Sequence, residues 1–449
     1  MKLSEMRQIL REIQVAPVKS LGQNFLFDQN LALWVVQQAE LSAEDFVLEI
    51  GPGLGALTVP ALATGAKILA IEKDGRLANF LRQRCSSERL EIIHGDALEF
   101  EVKKLFPFGP IKLLGNLPYY LSTELLLRFL EPPTPITLAL LMLQKEVARR
   151  LSASSGSKDY GILGLALQSR YRVEYLRTVP AVVFFPQPEV DSAFVRLKPR
   201  LPGELPEFDR DLFLRLVRRG FSQRRKQVGK LLAGLVPSWP DAASQIGVSS
   251  QARAENLSLE QWIGLTKLVH PSGSAERGDD PAERFTVVDE NDVVIGSLSR
   301  AEVHGNNLRH RAVHIFLFNR AGELLLQKRS RWKDRHPGLW DSSAAGHVNA
   351  GEEFDQTALR ELKEELGVAA ELTRVAKLPA SEETGQEFVW LYRGEYSGPF
   401  TPAPSEIEAL EFFPLDLIAE WIGHRAGDFA PGFLACWRAA ALRLTNANA

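Results

Sequence analysis

The sequence predicts two α/β folds in series. The first is a doubly wound parallel sheet followed by a small helical domain, and the second is an α/β/α sandwich. Three observations predict this. A short apolar strand, Phe46–Ile50, runs straight into Gly51, Gly53 and Gly55 and then into a helical stretch. The strands that follow end in acidic or amide residues, Glu72, Asp96 and Asn116. Far downstream, a helical stretch over about 356–366 carries Glu361, Glu364 and Glu365 beside an apolar stripe of Ala358, Leu359, Leu362 and Leu366.

Length and composition set the frame. A chain of 449 residues is too long for one ordinary core, so two or three domains are expected. At 45% hydrophobic and 24% charged, it has the composition of a soluble globular protein. No apolar run reaches the length of a membrane span, so no membrane partner is expected. The start, MKLSEMRQIL, has no long apolar region of the secretory kind. The two cysteines, Cys85 and Cys436, are far apart, which argues against a disulfide scaffold and suits a reducing cytoplasm. A monomer is expected.

The net charge of -3 hides an asymmetry. Residues 1–270 hold 34 Lys and Arg against 28 Asp and Glu, and the remainder holds 19 against 28. A basic first part suits an anionic partner such as nucleic acid, and an acidic second part does not. The break falls in the Gly-, Pro- and Ser-rich stretch near residues 270–284, where apolar periodicity stops. The expected domains are therefore 1–200 (doubly wound), 201–269 (helical), a linker at 270–282, and 283–449 (sandwich).

In the first domain the elements follow in order. Phe46–Ile50 is the first strand, and the glycine loop leads to a helical run from Ala56 to Ala63. Strand, glycine loop and helix N-terminus make the ligand-binding corner of a doubly wound sheet. The next strand, Lys67–Ile71, ends at Glu72, which can accept from a ribose diol. Another, Leu90–His94, precedes Asp96, which can meet an adenine amino group. A further strand, Ile111–Leu114, runs into Asn116-Leu117-Pro118-Tyr119. An amide in a proline-stiffened turn can accept from an exocyclic amine, and a neighbouring aromatic can stack on the same base. Those are the needs of methylating a base nitrogen outside its helix. Taken alone, a glycine trio is a tight turn and Tyr119 is a core residue; the combination at one sheet edge points to a site.

From these residues the chain resembles the small-subunit rRNA adenine N6-dimethyltransferases of the KsgA type, over about residues 15–268. The likeness runs through Gly22-Gln23-Asn24-Phe25-Leu26, Glu49-Ile50-Gly51-Pro52-Gly53-Leu54-Gly55, Asn116-Leu117-Pro118-Tyr119 and Phe184-Phe185-Pro186-Gln187-Pro188-Glu189-Val190-Asp191-Ser192-Ala193. The resemblance implies the fold of class I S-adenosylmethionine-dependent methyltransferases. It implies that Gln23, Asn24 and Leu26 help close the S-adenosylmethionine pocket, and that Gly51, Gly53 and Gly55 approach the methionine part. Glu72 would take the ribose, Asp96 the adenine and Asn116 the target amine, with Tyr119 and Phe184 flanking the target base. The implied substrate is a pair of adjacent adenines near the 3′ end of 16S rRNA in the immature small subunit. Ala181 and Gln187 stand where prolines are common in the family, a departure that affects loop stiffness more than chemistry.

A helical segment over about 208–268 follows. Arg215, Arg218, Arg219, Arg224, Arg225, Lys226 and Lys230 crowd sixteen residues with no Asp or Glu among them. A solvated face is the plain reading, but like charges this dense repel unless something anionic absorbs them. RNA phosphate is the expected partner. Contacts of this type position RNA rather than read its bases.

In the second domain, 285–295, 311–318 and 323–328 read as strands, then a long Trp/Gly/Pro-bearing loop leads to the acidic helix. Like charges three and four apart destabilise a bare helix, whereas a hard cation needs such oxygens. Gly346, Glu352, Arg360, Glu361, Leu362, Glu364, Glu365, Gly367 and Val368 fill every fixed place of G-x5-E-x7-R-E-U-x-E-E-x-G-U, with U aliphatic. The stretch thereby resembles the Nudix hydrolases, over about 283–440. The resemblance implies Mg²⁺ or Mn²⁺ held by Glu361, Glu364 and Glu365, with Glu352 contributing through its loop and Glu364 or Glu365 nearest the attacking water. It implies that Arg360 orders the glutamates, and that the substrate is a small organic or nucleoside diphosphate.

Residues 285–348 also resemble the isopentenyl-diphosphate isomerase branch, through His304, His310, Leu339-Trp340 and Gly346-His347. In that branch the corresponding histidines hold a metal, so His304, His310 and His347 raise the question of a second metal site. The branch uses a catalytic cysteine just before Gly-His, and this chain has Ala345. A methyl group cannot replace a thiol in proton transfer. Of the downstream acidic pair that isomerases use, Glu387 remains. The favoured reading is a dimethyltransferase fused to a hydrolase. The alternatives are an isomerase-like or catalytically silent second domain, and a non-catalytic ribosome-assembly factor.

Overall fold

The structure is a computed structural model that describes residues 2–17, 23–118, 121–201, 203–206, 208–269, 283–330, 333, 335–403 and 405–444. The chain divides into two compact units, Met1–Val269 and His270–Ala449. The expected linker at 270–282 lies outside the described residues, as does Tyr119.

The first unit begins with α1 (Leu3–Glu12), β1 (Phe25–Leu26), α2 (Gln29–Gln38), β2 (Phe46–Ile50), α3 (Thr58–Leu62), β3 (Lys67–Glu72), α4 (Gly75–Arg84) and β4 (Leu90–His94). It continues with β5 (Ile111–Asn116), α5 (Ser122–Leu130), β6 (Ile136–Gln144), α6 (Lys145–Ser152), α7 (Ile162–Gln168), β7 (Tyr171–Val179), β8 (Phe184–Phe185) and β9 (Ser192–Pro199). Seven strands form one sheet in the order β4-β3-β2-β5-β6-β9-β7. The first five are parallel, and β9 and β7 run antiparallel at the edge. Helices cover both faces, so the central strands are apolar on both sides and read as continuous runs such as LALLML in β6. Two apolar clusters result, one against each face.

The helical part holds α8 (Arg210–Gly220), α9 (Val228–Leu231), α10 (Trp239–Gln245) and α11 (Leu259–Val269). Asp209 caps α8 by accepting from the Leu212 amide. Trp262 is fully buried at its centre, and a β-carbon at Gly220 would lie 2.4 Å from the Trp262 ring, so only glycine lets the two helices close. This core also recruits Ala153, Tyr160 and Leu165 from before residue 200.

The second unit holds β10 (Arg284–Val288), β11 (Val294–Ser299), α12 (Arg300–Gly305), β12 (His310–Phe318), β13 (Leu324–Arg329), β14 (Trp340–Asp341), β15 (Ala344–His347) and α13 (Phe354–Leu366). After these come β16 (Leu372–Leu378), β17 (Glu387–Glu395), β18 (Ile407–Phe413), α14 (Leu415–Arg425) and α15 (Pro431–Leu444). All nine strands join one mixed sheet around β12, which pairs in parallel with β17 and antiparallel with β15. The stretch 285–295 is a hairpin rather than one strand. The Asp289 carboxylate accepts from the amides of Asn291 and Val293, and Asp292 takes φ 62°, which reverses the chain. The acidic helix starts two residues earlier than its apolar stripe suggests, at Phe354, and ends on left-handed Gly367.

Candidate functional site

A cavity opens at the carboxyl edge of the parallel strands in the first unit. It is lined by Gln23, Asn24, Leu26, Gly51, Gly53, Glu72, Asp96, Asn116 and Pro118, among others. Glu72 Oε2 accepts from the Gly53 amide at 3.0 Å and Oε1 from the Asp74 amide at 2.9 Å. Those bonds fix the carboxylate while each oxygen keeps a lone pair. Burial nevertheless pushes the Glu72 carboxyl up. Asp96 accepts from Lys73 at 2.6 Å and from the Leu98 amide at 3.0 Å, and the Lys73 ammonium holds it below the usual carboxylate range. Asn116 Nδ2 donates to the Asn24 carbonyl at 2.9 Å, tying the strand end to the upstream loop and leaving Oδ1 to accept.

Two expected residues stand elsewhere. Gly55 does not line the cavity; a β-carbon there would meet Leu81 at 2.7 Å, so this glycine serves the close packing of α4. Phe184 is 2% exposed and sits in an apolar cluster, because its two-residue strand pairs with Leu26. It does not line the cavity in this structure, and no spacing in the sequence marks that pairing. Conversely, Glu49 carries no role predicted from sequence, yet it is fully buried in the cavity wall and its Oε2 has no hydrogen-bond partner. Its signal is an acidic residue inside the apolar strand FVLEI. Burial pushes its carboxyl up to about 7, and Glu72 adds to the rise.

A carboxyl raised in the folded state favours folding below its unfolded value of about 4.3, and that contribution is lost as pH rises through about 7. Glu49→Gln should therefore flatten the fall in melting temperature of cofactor-free protein between acid pH and pH 8. Parallel melting curves for variant and parent would refute the assignment.

The orphaned oxygen, the glycine-backed loop and the carboxylates fit a cationic nucleoside cofactor. S-adenosylmethionine carries two cationic groups, the sulfonium and the ammonium, against one carboxylate, and the described wall offers Glu49, Glu72 and Asp96.

The basic residues of the helical part, Arg215, Arg218, Arg219, Arg224, Arg225, Lys226 and Lys230, are all exposed. Arg224 donates to the Lys158 carbonyl at 2.6 Å, and Arg219 to the Leu231 carbonyl at 2.9 Å, which fixes parts of the patch.

The second unit has its own cavity, bordered by α13, β12, β15 and the start of α15. Arg360 organises the acidic groups. It donates to Glu352 at 2.9 and 3.0 Å, to Glu361 at 2.8 Å, to Glu364 at 3.0 Å and to the His347 carbonyl at 3.1 Å. Glu352 stays below the usual range: burial is the largest influence and raises it, but hydrogen bonds from Arg360, Thr357 and the Asn349 amide and the Arg360 charge together outweigh that. Glu361 and Glu365 are buried, whereas Glu364 is 40% exposed. Burial pushes Glu361 up to about 8 and Glu365 well up, and each carboxylate adds to its neighbours' cost. Glu365 Oε2 accepts from Gln327 at 3.1 Å and the Ala345 amide at 3.3 Å. A β-carbon at Gly346 would lie 2.0 Å from the Glu361 carboxyl carbon, so glycine makes the space this carboxylate occupies. Buried like charges with room around them fit a divalent cation.

A second ligand set stands close by in the same unit. His304, His310 and His347 are far apart in sequence, but their nitrogens lie within 4.8 Å of one another. The fold does what the sequence does not: β12 and β15 pair, placing His310 and His347 near each other, and α12 brings His304 over them. His310 Nδ1 bonds the Leu308 carbonyl at 2.9 Å, so its proton sits there and Nε2 faces inward. The Nε2 atoms of His304 and His310 are buried without hydrogen-bond partners. Glu387 lies 3.2 Å from His347 Nε2 and 3.5 Å from His310 Nε2. Burial first, and neighbouring positive charge second, lower His304 to about 3; burial lowers His347 to about 4, against the pull of Glu387. Both imidazoles are thus neutral at pH 7, as metal ligands must be.

The family model for ribosomal RNA adenine dimethylase matches residues 17–270. The chain belongs to the ribosomal RNA adenine dimethylase family. A NUDIX domain model matches residues 308–432, so this dimethylase is fused to a Nudix domain. Ribosomal RNA small subunit methyltransferase A of Chlorobium phaeobacteroides (strain BS1) is 41% identical over 261 residues, 58% of this chain and 97% of that protein. Its namesake from Pelotomaculum thermopropionicum is 42% identical over 275 residues, 58% of this chain and 93% of that one. Both likenesses cover the dimethylase part. The chain is therefore an S-adenosylmethionine-dependent rRNA dimethyltransferase joined to a metal-binding Nudix-like hydrolase domain. No helix among the described residues is long and apolar enough to cross a membrane.

Proposed function

We propose that the first unit dimethylates N6 of two adjacent adenines near the 3′ end of 16S rRNA, in immature small subunits in the cytoplasm. The observation that carries this is Asn116 at the end of β5, its Nδ2 committed to Asn24 and its Oδ1 left to accept from the target amine. S-adenosylmethionine supplies the sulfonium methyl. Asn116 holds the amine so that its lone pair faces the cofactor, which matters more here than a strong base. Glu72 and Asp96 hold the ribose and adenine, and Tyr119, outside the described residues, stacks on the base. The test is methylation of immature small subunits by purified protein, with the modified positions mapped; methyl groups at any other adenines would overturn the site choice.

The exposed Arg and Lys residues of α8 and the turn after it support rRNA phosphate as their partner. Reversing Arg224, Arg225 and Lys226 to Glu should weaken binding to small-subunit particles and flatten its salt dependence. Removing one cation–phosphate interaction lowers the slope of log K against log salt by roughly 1. Titrations at several salt concentrations check this, and an unchanged slope would place the RNA elsewhere on the surface.

For the second unit we propose Mg²⁺- or Mn²⁺-dependent hydrolysis of a small organic or nucleoside diphosphate. Glu361 and Glu364, ordered by Arg360, and Glu365, held by Gln327 and the Ala345 amide, would hold the ion, with Glu352 shaping the loop. A bound ion would supply Lewis acidity toward the diphosphate and toward an attacking water. His304, His310, His347 and Glu387 would hold a second ion that suits imidazole, such as Zn²⁺ or Mn²⁺. Ala345 in the cavity wall, where an isomerase needs a thiol, favours hydrolysis over isomerisation. The full chain should release phosphate from organic diphosphates without interconverting isopentenyl and dimethylallyl diphosphate. Interconversion with no phosphate release would make the domain an isomerase.

A further inference from the structure

Among the ionisable side chains of the hydrolase cavity that belong to neither ligand set is a buried histidine. His314 stands in the middle of β12, opposite Ala345, and is 5% exposed. Its Nδ1 lies 2.7 Å from the Ser342 hydroxyl and 3.8 Å from the Asp341 carboxylate. Asp341 is in turn held by Arg329 at 3.0 Å. A carboxylate on that side favours the proton on Nδ1, leaving the Nε2 lone pair to accept. Nε2 has no partner among the described residues. It faces Gly432 in the cavity wall, where a β-carbon would come within 3.1 Å of it. Glycine at 432 and alanine at 345 leave this nitrogen open to whatever fills the cavity.

We infer that His314, oriented by Ser342 and Asp341, is a specificity subsite that accepts a hydrogen bond from a hydroxyl or amine in the organic part of the substrate, so that the domain takes nucleoside or sugar diphosphates and rejects alkyl diphosphates. This rests on the diphosphate reading of the same cavity. A buried acceptor loses water when a ligand enters, and a ligand with a donor replaces that bond. An alkyl chain leaves the acceptor unpaired, and sites of this kind discriminate strongly against the analogue that lacks the donor.

The experiment uses the full chain with Mg²⁺ and two non-hydrolysable probes, the α,β-methylene analogue of uridine diphosphate and the methylene analogue of isopentenyl diphosphate. Calorimetry should show tighter binding of the nucleotide. His314→Leu should weaken the nucleotide about tenfold or more and leave the alkyl probe almost unchanged. His314→Gln retains an acceptor and should keep much of the preference, which separates a lost hydrogen bond from a damaged fold. Equal weakening of both probes, or no change in either, overturns the subsite. Phosphate release from the parent diphosphates is read separately. A preference that depends on His314 without phosphate release overturns hydrolysis and leaves the subsite standing. Phosphate release with no dependence on His314 does the reverse.

Discussion

Asn116→Ala should lower methyl transfer by about a hundredfold or more while cofactor affinity falls only slightly. The side chain bridges two tasks: Nδ2 ties to the Asn24 carbonyl, and Oδ1 remains for the amine. Removing it deletes the acceptor that positions the nucleophile and loosens one tie of the upstream loop. The carboxylates that would grip the cofactor, Glu72 and Asp96, are held by other partners and stay in place. Equilibrium binding of S-adenosylmethionine and single-turnover methylation of small subunits separate the two effects. Lost cofactor binding with unchanged turnover at saturation would mean that Asn116 serves the cofactor and not the base.

In the Nudix domain, Glu361→Gln, Glu364→Gln and Glu365→Gln should each lower kcat well over about tenfold, because each removes a charge from a shared metal cluster. The largest loss is expected at Glu365, buried and flanked by Glu361, and the smallest at Glu364, which is part-exposed and already paired with Arg360. Without metal, Glu361→Gln should be more stable than the parent at alkaline pH. Burial raises Glu361 to about 8, so its favourable protonated form is lost as pH rises through that value, and the parent protein weakens. Glu361→Gln escapes that penalty and should melt higher than the parent at pH 9 in chelator, yet gain less from added Mg²⁺. Melting curves with and without metal check this; identical metal-induced shifts in parent and variant would remove Glu361 from the ligand set. Methyl transfer should be indifferent to all three changes, since the sites lie in separate cores.

Much was legible because short segments carried it whole. Strand, glycine loop and helix lie within eighteen residues, and the Nudix signature is a single helix with its preceding loop. Local patterns of this kind fix which side chains share a sheet edge or a helix face before any long-range contact forms. Hence Glu72, Asp96 and Asn116 meet at one cavity, and the acidic helix gathers Glu361 and Glu364 around Arg360. Even Glu49 left a trace, an ionisable residue inside an otherwise apolar strand, and His314 interrupts the apolar run that follows Arg311, though the trace says only that the residue is buried for a reason.

The sequence by itself determined two α/β units, their order, and the chemistry of each local motif. Tertiary structure alone decided what strand pairing brings together. His304, His310 and His347 converge because β12 pairs with β15 and α12 folds over them, and Glu387 arrives through the parallel pairing of β17. Phe184 is enclosed because a two-residue strand pairs with β1, and Gly55 faces Leu81 rather than the cavity. Spacing along the chain encodes periods of two and 3.6 residues. It does not encode the register between strands dozens of residues apart, and in both units that register decides which buried polar atoms end up facing one another.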